Sequence, residues 1–61
     1  MSATAELSAV STTLSELTKR VSRILADLAP SDEDRYGADL MEVERALGVA
    51  HRRLEHLMSR N

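Results

Sequence analysis

The sequence predicts an all-α chain in which two long helices fold back on each other as an antiparallel, coiled-coil-like hairpin. Three observations predict it. Apolar residues recur in alternating steps of three and four along both halves of the 61-residue chain, the period of a helix face that meets another helix. The single proline, Pro30, stands near the middle. The two apolar series also mirror each other about that point. No strand-like alternation by twos competes with this pattern.

The first series is Leu7, Val10, Leu14, Leu17, Val21, Ile24 and Leu28. Nothing in this half punctuates it, since both glycines and the lone aromatic, Tyr36, lie in the other half. Pro30 has no backbone N–H and disfavours helix in the residue before it, so the first helix is expected over about 4–29, with the turn at 30–31. The second series is Tyr36, Leu40, Val43, Leu47, Ala50, Leu54 and Leu57, on a helix expected over about 32–59. Ser31 is the expected cap of that helix, with Asp34 three positions on as its capping-box partner. Asp32, Glu33 and Asp34 then occupy the first turn, where the helix dipole favours negative charge. Arg52, Arg53 and Arg60 lie towards the far end, where it favours positive charge.

So short a turn forces the helices antiparallel. The expected layers are Leu7 with Leu57, Val10 with Leu54, Leu14 with Ala50, Leu17 with Leu47, Val21 with Val43, Ile24 with Leu40, and Leu28 with Tyr36. These fourteen residues form the expected core seam, folded back at Asp32. Tyr36 is expected to close the seam at the turn, with its hydroxyl in water.

Composition narrows the function classes. An apolar share of 43% and a charged share of 30% belong to a folded helical protein, not a disordered tail. The length suits one domain, residues 1–61. Without cysteine, there is no disulfide and no thiolate for catalysis or metal binding. The net charge of −2 implies no general attraction to nucleic acid or to an anionic membrane. No apolar run approaches the roughly 20 residues that span a bilayer, and no secretory leader pattern is visible, so a cytoplasmic protein without membrane contact is expected.

A chain this small, lacking disulfides and metal, needs oligomerisation to be stable, so the hairpin is expected to dimerise into a four-helix bundle. The first helix carries a stripe of small residues, Thr4, Ser8, Ser11, Ser15, Thr18 and Ser22, continued by Leu25. Across from it stands Gly48, which costs about 1 kcal/mol in a helix relative to alanine and so implies close backbone approach. Met41, Val49 and Met58 are apolar residues outside the seam. The candidate interface is therefore Ser8, Ser11, Ser15, Thr18, Ser22, Leu25, Met41, Gly48, Val49 and Met58. The competing reading is a solvated Ser/Thr face with apolar residues scattered singly beside it.

Catalytic and ligand chemistry finds little footing. His51 and Glu55 are one helical turn apart, but His56 points about 100° away from Glu55 and the spacing matches no ligand motif. No metal and no cofactor are expected. There is no glycine-rich phosphate loop and no nucleophile elbow, so no catalytic residues and no enzyme are expected. Lys19, Arg20 and Arg23 are expected to face Glu42 and Glu44 and pair with them. Arg52, Arg53 and Arg60 are the alternative nucleic-acid contacts, although no aromatics interleave with them as stacking platforms. The expected function is a small non-enzymatic protein–protein interaction or assembly module, an adaptor or regulator. It would act as a helical-hairpin homodimer with a further protein partner. The alternative is a nucleic-acid-binding helical bundle using the arginines of the second helix.

Overall fold

Ser2 starts the first helix: its hydroxyl oxygen accepts from the Ala5 N–H at 3.2 Å, satisfying one of the free donors of the first turn. In the computed structural model, which describes residues 2–60, helix α1 runs Ala3–Ala26 and helix α2 runs Pro30–Ser59. The two pack against each other, joined by Asp27, Leu28 and Ala29. The molecule measures 46 × 16 × 13 Å. Its long axis is close to the length of α2 alone, about 45 Å at 1.5 Å per residue.

The connection differs from the expected one in both position and chemistry. α1 ends at Ala26, not near residue 29, and the Asp27 N–H closes it on the carbonyls of Arg23 and Ile24 at 3.1 and 3.2 Å. The turn at 30–31 is corrected to residues 27–29. Pro30 does not precede α2 but opens it. Its missing N–H falls where a helix has no partner for one, and its fixed φ already suits the helix. The cap is then Ala29, extended at φ −66° and ψ 152° as a residue before proline prefers, with no side-chain cap bond. Ser31 lies inside the first turn, so the Ser31–Asp34 capping box does not form.

The larger correction concerns which faces meet. No hydrophobic side chain is buried among the described residues, where only the residues Ser11 and Gly37 are buried. The half-buried positions nearest to them are Leu7, Leu14, Thr18, Val21, Leu25 and Leu28 on the α1 side, and Leu40, Glu44, Leu47, His51, Leu54 and Met58 on α2. With Ser11 and Gly37 they also form heptad stripes, but rotated about 50° from the expected seam, half of the 100° step between neighbouring residues. Val10, Leu17 and Ile24 give way to Ser11, Thr18 and Leu25. Tyr36, Val43, Ala50 and Leu57 give way to Gly37, Glu44, His51 and Met58.

Side-chain size and hydrogen bonding account for the rotation. Serine and threonine are small enough to stand between two helices. The hydroxyl of Thr18 donates to the Leu14 carbonyl of its own helix at 2.8 Å, so the side chain can face α2 with its polar group satisfied. Ser22 Oγ donates to Glu44 Oε2 across the contact, holding the carboxylate at a half-buried position.

Candidate interaction face

The rotation moves six of the fourteen expected seam residues to the surface. Val10, Leu17, Ile24, Tyr36, Val43 and Leu57 are between 39% and 52% exposed. Leu7, Leu14, Val21, Leu28, Leu40, Leu47, Ala50 and Leu54 remain half-buried.

These six are not scattered, and half-buried Ala50 stands in line with them. Val10, Leu17 and Ile24 each precede by one residue an inward position of α1: Ser11, Thr18 or Leu25. Tyr36, Val43, Ala50 and Leu57 likewise precede Gly37, Glu44, His51 and Met58. In an antiparallel pair, equivalent flanks of the two helices lie on the same side of the contact. All seven residues therefore share one broad face of the hairpin, bordered by the leucines of the half-buried stripes. Tyr36 does not close a core. Its ring is half exposed at the turn end of this face, with the Arg35 guanidinium 5.8 Å from the ring centre.

The candidate interface drawn from the sequence is placed differently. Ser11 is 4% exposed, inside the hairpin. Ser15, Thr18, Ser22, Leu25, Gly48 and Met58 are half-buried in or beside the same contact, and Ser8, Met41 and Val49 are exposed. The close approach expected at Gly48 is not seen: a side chain there would meet only Arg52 of its own helix, at 3.8 Å. A cleft on this opposite face lies between Ser22, Leu25, Gly37, Met41 and Glu44.

His51 Nε2 lies 3.5 Å from Glu55 Oε1, one turn along the helix; both are partly exposed, so the pair has little weight. It is the only side-chain ion pair among the described residues, and the expected pairing of Lys19, Arg20 and Arg23 with Glu42 and Glu44 does not form. Glu44 is taken instead by Ser22. Arg20 and Arg23 line a hollow near the turn with Asp27 and Asp32. At the open end Arg52, Arg53, His56 and Arg60 surround a shallow hollow with Val49 and Leu57. His51 and His56 do not converge, and no group of three or more potential metal ligands occurs among the described residues. No helix among them is long and apolar enough to cross a membrane.

The apolar row was visible in the sequence, but its destination was not. The signal for the rotated packing was the run of small residues at heptad spacing through Ser11 and Thr18, matched by Gly37 on the second helix. No protein-family model, curated protein or solved structure matches this chain.

Proposed function

We propose that this chain is a non-enzymatic protein–protein interaction module, an adaptor or assembly unit that works as a self-associating helical hairpin. Two copies complete a four-helix bundle, and the outer surface of that bundle serves a further protein. One observation carries the reading: a continuous solvent-facing apolar row beside a helix contact that buries no hydrophobic residue. Soluble monomers rarely leave a contiguous patch of this kind without a partner.

Surface area supports it. The chain exposes 4929 Å², against about 3,900 Å² for a compact monomer of its mass. The excess of about 1,000 Å² is close to the roughly 800 Å² that each partner buries in an interface of standard size. Light scattering tests the reading. A mass of twice 6.7 kDa is expected. A mass of 6.7 kDa across the accessible concentration range would end it.

A second reading has one observation in its favour, the gathering of Arg52, Arg53, His56 and Arg60 at the open end. In it these cations contact phosphates of a nucleic acid. Titration with duplex DNA and with RNA separates the two readings: binding that falls steeply with salt supports the second, and no binding leaves the first.

A further inference from the structure

We infer that the second copy packs antiparallel on the apolar face, each turn lying at the open end of the other hairpin, so that Asp32 and Asp39 of one copy meet Arg60 and Arg53 of the other. The inference rests on the self-association proposed above and adds its direction, its register and the residues that set them.

The argument starts from the rim of the face on α2. One turn before Tyr36, Val43, Ala50 and Leu57 stand Asp32, Asp39, Ala46 and Arg53, and Arg60 continues the series at heptad spacing. These five residues border the apolar row on its outer side. Their charges run negative, negative, neutral, positive, positive, and so reverse sign about Ala46. A two-fold axis crossing α2 beside Ala46 lays α2 of one copy antiparallel on α2 of the other. It brings Asp39 to Arg53 and Asp32 to Arg60, each pair twice. None of the four has an ion-pair partner within its own hairpin among the described residues.

The apolar row has the matching symmetry. About nearly the same point, Tyr36 falls opposite Leu57, Val43 opposite Ala50 and Leu40 opposite Leu54, with Leu47 meeting its own copy. Large side chains thus meet at the ends of the row and a valine meets an alanine near its centre. A face that is complementary to itself under one rotation fits a second copy of this chain.

The other two-fold arrangement, with both turns at one end, is opposed by charge. Residues 27–39 carry Asp27, Asp32, Glu33, Asp34 and Asp39 against Arg35, and the turn end stays net negative with Arg20 and Arg23 of α1 counted beside it. Setting two such ends side by side is repulsive, and so is setting the arginine-bearing open ends together.

Because the chain has no cysteine, Ser31→Cys at the exposed start of α2 gives a single attachment point for a nitroxide label. Pulsed dipolar spectroscopy of the labelled dimer is expected to give a separation close to the 46 Å length of the molecule. A short separation, with both turns at one end, overturns the orientation while leaving self-association standing. Asp39→Arg is expected to weaken the dimer roughly tenfold, since it turns two attractive pairs repulsive, and adding Arg53→Asp is expected to restore it. A double variant as weak as the single overturns the charge pairing. Raising the salt is expected to loosen the wild-type dimer by screening these pairs, and tightening would point to the opposite orientation. A wild-type chain that stays monomeric overturns the underlying reading itself.

Discussion

The two broad faces of the hairpin are built from the same helices and differ in almost everything else. On one side Val10, Leu17 and Ile24 stand beside Tyr36, Val43 and Leu57, all of them exposed. On the other, Ser8, Ser15 and Ser22 stand beside Met41, Gly48 and Glu55, and the Ser22–Glu44 hydrogen bond joins the helices. The second side carries small and polar groups and the one side-chain hydrogen bond between the helices among the described residues. The first holds the apolar area that the hairpin does not use. The contrast shows that the strongest apolar periodicity in a chain need not mark its internal contact. Part of it can stand in solvent beside that contact.

The largest expected effect tests the shared stripe. Leu47 is half-buried in mid-hairpin, so Leu47→Asp places a charge where the helices meet, at a cost of roughly 3 kcal/mol or more. Circular dichroism should show helicity lost, and a variant as helical as the parent would mean that Leu47 does not face α1. Next come the two faces themselves. Leu17→Asp should keep its helical spectrum in dilute solution and lose self-association, whereas Ser15→Glu on the opposite side should keep the parent mass. If Leu17→Asp unfolds as fully as Leu47→Asp, then Leu17 belongs to the internal contact and the comparison fails.

A smaller effect is expected at Gly48. A methyl group there would meet the Arg52 guanidinium at 3.8 Å, an ordinary contact. Gly48→Ala should therefore add about 1 kcal/mol through helix propensity, raising Tm by about 4–8 °C. A drop in Tm would show that the glycine is needed for the helices to approach. The smallest effect belongs to Glu55, more than half exposed beside His51. Glu55→Gln should change stability by less than about 0.5 kcal/mol, and a change several times larger would mean the pair is more than a surface contact.

Much of this molecule is legible in the residues themselves, but unevenly. The helical class follows from heptad spacing, and the single connection near Pro30 follows from proline chemistry. The details of that connection were not legible, because proline suits both the turn before a helix and the first position inside one. The observed choice places Ala29 outside α2 and Pro30 within it. The outward apolar row was legible as a set of residues but was expected within the core. Spacing identifies a stripe, yet the expected seam and the observed one share every second residue and lie only about 50° apart on the same helix.

The sequence by itself determined that the chain is helical, that it bends once, and which residues are apolar enough to seek cover. Those properties are local: they depend on neighbours within a turn or two and on the φ restriction of one proline. Only the tertiary structure decided which stripe faces inward, because that choice compares distances between backbones that no single helix contains. Half-buried leucines line the contact between the helices together with Ser11 and Thr18, and the bond from Ser22 to Glu44 pairs two polar groups across it. The leucine–valine row is therefore left facing outward.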